Sequence, residues 1–145
     1  MTTEAIIYAD VQVVLDHAID RLWPPIAAFG ELGRWAAGVT GCTVEGEGPG
    51  AIRTISLGAR QARERLEAID PPGHWLRYHI LPPHAMPAQN VYSEISLAAL
   101  GDGRTGLRWR SEATDFTIPP EQIGAAIEGF YRRSLDGLDR MLRAG

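Results

Sequence analysis

Tyr92 and Glu94 stand two residues apart in a strand-like stretch, so their side chains share one face. A carboxylate beside a phenol is the start of an acid–base site. The carboxylate moves a proton, and the phenol, with Tyr78 from a neighbouring strand, holds an oxygen on which charge develops. A buried Glu94 without a cation would have a raised pKa and be poised to give or take a proton. Arg53 and Glu64 form a second candidate pair. A buried charge must be paired, which favours a structural ion pair over catalysis by either residue.

Other chemistries find little support. His17, His74, His79 and His84 are scattered, and no Cys/His cluster has zinc spacing, so no metal and no cofactor is expected. Cys42 is alone, so no internal disulfide forms, and it reads as a small packed residue. His84 lies in a loop, where a histidine is more often solvated than a general base. The formal net charge is -4 with no basic block, a poor surface for nucleic acid. No apolar run is long enough to span a membrane. Met1-Thr2-Thr3-Glu4 lacks the basic and apolar regions of a signal peptide. One cytoplasmic domain over residues 1–145, monomeric or homodimeric, is the expectation.

The elements that must position these residues are legible in outline. Ile6–Leu15 is rich in β-branched residues and reads as a strand. His17–Leu32 has helical spacing interrupted by Pro24 and Pro25, so a helix there starts late, near Trp23, or is distorted. Gly30 is read as its end, and a short turn follows over Glu31–Trp35. Six strands come next: Val39–Glu47, Ala51–Leu57, Gln61–Asp70, Trp75–Leu81, Asn90–Leu100 and Thr105–Asp115. Gly101-Asp102-Gly103 joins the last two as a hairpin, and short turns between successive strands predict an antiparallel meander. After Pro120 the period changes. Ile123, Ile127, Phe130, Tyr131, Ser134, Leu138 and Met141 recur at three- and four-residue steps to about Arg143, one face of a long helix.

The order strand, two short helices, six strands and long helix is that of the helix-grip fold. Leu22-Trp23, Phe29, Trp35, Gly50-Ala51-Ile52-Arg53, Glu64-Arg65-Leu66, Asp70, Tyr78, Pro87, Tyr92 and Trp109 carry a resemblance along nearly the whole chain. They resemble the START/Bet v 1-like (SRPBCC) superfamily, and within it the bacterial polyketide cyclase/dehydrase and lipid-transport group. The resemblance implies an α+β fold, a seven-stranded antiparallel sheet curved around the C-terminal helix. It also implies that Glu64 points inward. Strand parity then places Ala62, Leu66, Arg53, Ile55, Leu57, Leu76, Tyr78 and Ile80 inside. Tyr92, Glu94, Ser96 and Ala98 are placed inside too, with Leu107, Trp109, Ser111 and Ala113. That assignment leaves Val91, Ile95 and Leu97 on the outer face, against the first strand's surroundings or a partner subunit.

The expected cavity is apolar and aromatic with a few embedded polar groups, the composition of a ligand pocket. Glu94, Tyr92 and Tyr78 are its candidate catalytic residues. Arg53, Ile55, Leu57, Glu64, Leu66, Ile80, His84, Trp109, Ser111, Ile127, Phe130, Tyr131 and Ser134 are its candidate ligand contacts. Tyr78, Tyr92 and Trp109 equally suit core filling, and Ser134 either a ligand or its own backbone. The resemblance implies binding of a hydrophobic small molecule, by a cyclase/dehydratase-like lyase or isomerase acting on a carbonyl compound through acid–base and proximity catalysis. A non-catalytic carrier or sensor of a lipid, hormone-like or aromatic ligand uses the same cavity. A protein-interaction module would need a surface motif that the sequence does not show.

Overall fold

Val, Ile and Thr next to tight turns favour extended chain, and the computed structural model, which describes residues 4–145, contains seven strands. They are β1 Ile6–Leu15, β2 Gly41–Glu45, β3 Ile52–Leu57, β4 Arg60–Asp70, β5 Trp75–Ile80, β6 Gln89–Gly101 and β7 Arg104–Thr114. All pairings are antiparallel, in the order β1-β7-β6-β5-β4-β3-β2. Strands β2 to β7 form the expected meander, and β1 returns to pair with β7. Gln61–Asp70, which in isolation passes for helix, is strand because both neighbours supply ladder partners. Met1–Thr3, on which the reading of a leaderless N-terminus partly rests, lie outside the described residues.

The first helix, α1, spans Ile19–Ala27 and contains Pro24 and Pro25. It therefore begins before the prolines rather than near Trp23. The carbonyls that lose donors belong to Asp20 and Arg21, both exposed and open to water. Leu22 and Ile26 anchor the other face in the core. The helix ends at Ala28, whose N–H bonds to the Pro24 carbonyl, and not at Gly30. Gly30 instead sits inside a 3₁₀ segment, Phe29–Arg34, that covers the second expected helical turn.

The long helix α2 spans Pro120–Ala144, with proline in its first turn where a missing N–H is harmless. Ile123, Tyr131, Ser134, Leu135 and Leu138 face the sheet and are buried. At both ends of this face the helix comes close to other backbone. A Cβ on Gly124 would collide with the carbonyl of Tyr8, and one on Gly137 with the carbonyl of Trp35. Two side-chain contacts hold the same alignment: Glu128 Oε2 accepts from the Asp10 N–H at 2.9 Å, and Asp139 Oδ1 lies 2.7 Å from His17 Nε2.

Gly124→Ala tests this approach. Overpacking against backbone costs about 1–3 kcal/mol, set against a helix-propensity gain of about 1 kcal/mol. Gly129 is a control, because its only close neighbour is the end of the flexible Arg133 side chain. Urea titration should show Gly124→Ala less stable than wild type and Gly129→Ala equal or more stable. Equal midpoints for the two variants would mean that α2 does not touch β1 at Gly124.

Candidate functional site

Between the concave face of the sheet and the middle of α2 lies a cavity of about 420 Å³. Strand β3 contributes Arg53, Ile55 and Leu57, β4 contributes Ala62 and Glu64, and β5 contributes Tyr78 and Ile80. Ile127, Phe130 and Tyr131 of α2 form the opposite wall, and Trp109 of β7 lies at the back. The Trp109 and Tyr131 rings stack face to face at 3.9 Å with planes 9° apart, a deeply buried aromatic pair at the inner end. His84, Ala85 and Met86 come from the loop between β5 and β6.

The expected Arg53–Glu64 pair is present, the two residues lying directly opposite one another on β3 and β4. Arg53 Nε donates to Glu64 Oε1 at 2.8 Å and Nη2 lies 2.7 Å from the same oxygen. The remaining arm donates to the Phe29 carbonyl at 3.2 Å. The guanidinium carbon lies 4.0 Å from the Phe29 ring centre and 4.8 Å from that of Tyr78. The Arg53 side chain is thus satisfied on every side while only 4% exposed. Both of its bonds to Glu64 go to Oε1, and Oε2 of this cavity-lining residue accepts from no described side chain.

The inner end of the cavity carries a hydroxyl cluster. Ser93 donates to Ser111 at 3.0 Å, Ser111 donates to Tyr8 at 2.7 Å, and Tyr131 lies 3.3 Å from Ser93. Trp109 Nε1 donates to the Tyr78 hydroxyl at 3.1 Å. The one Ser111 proton has two acceptors in reach, the Tyr8 hydroxyl at 2.7 Å and the Tyr92 carbonyl at 3.1 Å. With the proton on the shorter bond, the chain Tyr131, Ser93, Ser111, Tyr8 runs in one direction and the Tyr8 O–H is a donor at the cavity wall. Burial pushes the Tyr8 phenol up to about 12, the bond from Ser111 opposes this, and the nearby Glu64 charge adds to it. Tyr78 and Tyr131 are raised further, again chiefly by burial. All three phenols therefore stay protonated near neutral pH and act as donors, not bases.

Strand β6 faces the other way from the sequence expectation. Ladder partners share a face, and Arg77 and His79, which are outward, pair with Glu94 and Tyr92. Val91, Ser93, Ile95 and Leu97 are the inward, buried set, and Tyr92, Glu94, Ser96 and Ala98 point out. Glu94 accepts from Arg77 at 2.9 Å and from Arg110 at 2.9 Å, and Arg77 also reaches Glu112 at 2.8 Å. Partial burial raises the Glu94 pKa, but the two arginine hydrogen bonds outweigh it, so the carboxyl lies below its ordinary value. Tyr92 stacks on His79 at 4.3 Å, with Arg77 over its ring at 4.6 Å. Neither Glu94 nor Tyr92 reaches the cavity, so neither can serve as its acid or base.

Three further candidates sit beside the cavity rather than in its wall. Leu66 is core, Ser111 acts through Tyr8, and Ser134 accepts from the Ala37 N–H at 3.0 Å. The wall also includes residues outside the sequence-derived candidates, among them Leu32, Arg60, Gln61, Met86 and Arg133, and two polar ones deep inside, Ser93 and Tyr8. Ser93 shares the face of Val91, Ile95 and Leu97, a signal that the apolar alternation carried. Tyr8 shares parity with the outward Asp10 and Gln12, and a bulge between Ile7 and Ala9 turns it inward.

A helix gripped by a seven-stranded sheet around an internal cavity defines a Bet v 1-like domain. The chain belongs to the polyketide cyclase/dehydrase and lipid transport family, whose model matches residues 7–143. An uncharacterised protein from Bacillus thuringiensis is similar in structure, with TM-score 0.82, 17% identity and 96% of this chain covering 98% of that one. The XoxI protein from Bacillus cereus is similar at TM-score 0.80 and 18% identity, over 92% and 95% of the two chains. Ara h 8.0201 is similar at TM-score 0.78 and 13% identity, over 99% and 100%. These identities carry the fold alone. No curated relative matches the chain.

Two substitutions separate inward from outward carboxylates. Glu64→Ala leaves Arg53 buried without a counter-charge and should destabilise by about 3–5 kcal/mol. Glu94→Gln, on the partly exposed outer face, should cost within about 1 kcal/mol and leave ligand affinity unchanged. Chemical denaturation together with ligand titration checks both, and a Glu94→Gln variant that binds differently would contradict the face assignment.

Proposed function

We propose that the chain binds an apolar, ring-containing molecule that carries a carbonyl oxygen, held with that oxygen toward Tyr8. The observation that carries this reading is the presence of the buried Trp109–Tyr131 stack and protonated phenols in one cavity. Its volume of about 420 Å³ fits a ligand of a few fused rings or a short folded polyketone. Apolar walls supply affinity by burial, and the phenolic donors of Tyr8 and Tyr78 supply the direction of binding.

A catalytic version of this reading is favoured by Glu64 Oε2. Among the described lining residues Glu64 is the one carboxylate, and its open oxygen shares the cavity with the Tyr8 donor. A base near an α-carbon and a donor on the carbonyl oxygen are the two groups that enolisation needs, the step that begins a cyclisation or dehydration. A carrier needs the same walls and no base.

Titration with 2-acetylnaphthalene and with 2-ethylnaphthalene tests the binding mode. Tyr8→Phe should weaken the ketone by about 0.5–1.5 kcal/mol and leave the hydrocarbon unchanged. Trp109→Ala should weaken both by removing wall area. Exchange of the ketone's methyl protons in heavy water, followed by NMR, then separates the two versions. Enzyme-dependent exchange that is lost in Glu64→Gln with binding retained supports catalysis. Binding without any accelerated exchange supports a carrier. If neither probe binds, the cavity reading fails.

A further inference from the structure

The cavity wall changes character from inside to outside. Trp109, Tyr131, Tyr78 and Ser93 at the inner end are nearly inaccessible to solvent, whereas Arg60 and Arg133 are exposed. The exposed residues therefore mark the mouth. It lies where the start of β4, the loop before β6 and the middle of α2 converge.

This mouth is cationic and unbalanced. Deeper in, the Arg53 and Glu64 charges cancel. No other carboxylate lines the cavity among the described residues, which leaves Arg60 and Arg133 without a counter-charge. Neither arginine side chain has an ion-pair or hydrogen-bond partner among the described residues, as is also true of Arg63, Arg104, Arg132 and Arg140 away from the cavity. The chain as a whole carries a formal charge of -4, so two free cations at the rim of its internal cavity are not a reflection of general composition. His84 adds an independent sign. Its Nδ1 is the one buried side-chain nitrogen or oxygen without a hydrogen-bond partner among the described residues, and His84 lines the same mouth. A buried imidazole nitrogen without a partner is costly unless something else completes it.

We infer that the ligand is an organic anion, an apolar ring system bearing a carboxylate or phosphate head group that sits between Arg60, Arg133 and His84. The inference rests on the cavity being a ligand site and adds the polarity of its outer end. Two guanidinium groups present planar donor forks to the oxyanion, and the His84 ring borders it, its covered Nδ1 in reach only when the ring turns. The rings lie inward on Trp109 and Tyr131. The head group stays at the rim, where it keeps part of its hydration and avoids full desolvation. The cationic rim also draws anions toward the entrance before they dock.

The test compares three probes of similar ring size by isothermal titration at low and at moderate salt: 2-naphthylacetate, 2-naphthyl phosphate and 2-naphthaleneethanol. At least one anion should bind wild type about tenfold or more tightly than the alcohol, and the leading anion identifies the head group. The anion-to-alcohol affinity ratio should fall toward one in the Arg60→Gln/Arg133→Gln double variant and should fall in part in His84→Phe, which keeps a ring and drops the nitrogens. The ratio should also shrink as salt rises. If the alcohol binds as tightly as both anions, the rim does not select charge and this inference is overturned while the cavity reading stands. If none of the three probes binds, both are overturned. An anion preference that survives in the double variant also overturns it, since the anion is then held elsewhere.

Discussion

How closely α2 can approach the sheet sets everything inside this domain. The helix meets other backbone at two points on its inner face, Gly124 against the Tyr8 carbonyl and Gly137 against the Trp35 carbonyl. Thirteen residues separate them, about 20 Å of helix at ~1.5 Å per residue. At the two glycines nothing holds the helix off. Between them Ile127, Phe130 and Tyr131 project toward a sheet that curves away, and the space that is left becomes the cavity. Pinning both ends by backbone contact makes that space a permanent feature of the fold. Side chains filling its middle set its walls without closing it.

The polar groups in this space are arranged so that almost none lacks a partner. Arg53 is satisfied by a carboxylate, a carbonyl and two ring faces. The hydroxyls of Ser93, Ser111 and Tyr131 satisfy one another and end on Tyr8. What stays open is directional: the Tyr8 and Tyr78 hydroxyls and one Glu64 carboxylate oxygen inside, and the Arg60 and Arg133 guanidinium groups at the rim. A low-polarity cavity amplifies such groups, because little water competes for them. Burial also keeps the phenols protonated, which makes them suited to binding oxygen and unsuited to removing protons.

The outer face of the same sheet bears a network of paired charges. Arg77, Glu94 and Arg110 lie in line across β5, β6 and β7, and Asp10 pairs with Arg108 across β1 and β7. These cross-strand pairs bind neighbouring strands together on the side away from the ligand. Their position explains why a glutamate that looked catalytic in the linear chain is not. Arg77 and Arg110 are thirty-three residues apart in sequence, yet both reach Glu94 because the antiparallel register brings their strands to either side of it.

Local pattern determined the element order, the antiparallel meander and the long helix, and strand parity set the inward faces of β3, β4, β5 and β7 once the resemblance had placed Glu64 inside. These follow from periods of two and 3.6, from turn residues, and from the burial of whichever face is apolar. The Arg53–Glu64 pair was legible for the same reason, since neighbouring strands joined by a short turn have a fixed register. The inward face of β6 is marked in the sequence by Val91, Ile95 and Leu97, opposite to the parity that puts Tyr92 and Glu94 inside. Three features were beyond the sequence. The β1 bulge that turns Tyr8 inward depends on pairing with β7, about a hundred positions away. The persistence of α1 through two prolines depends on Leu22 and Ile26 being held in a core built by later strands. The convergence of Arg60, His84 and Arg133 at one mouth depends on a turn, a loop and a helix whose proximity only the closed fold creates. Period and propensity act over a few residues, whereas each of these arrangements is set by packing between segments distant in the chain.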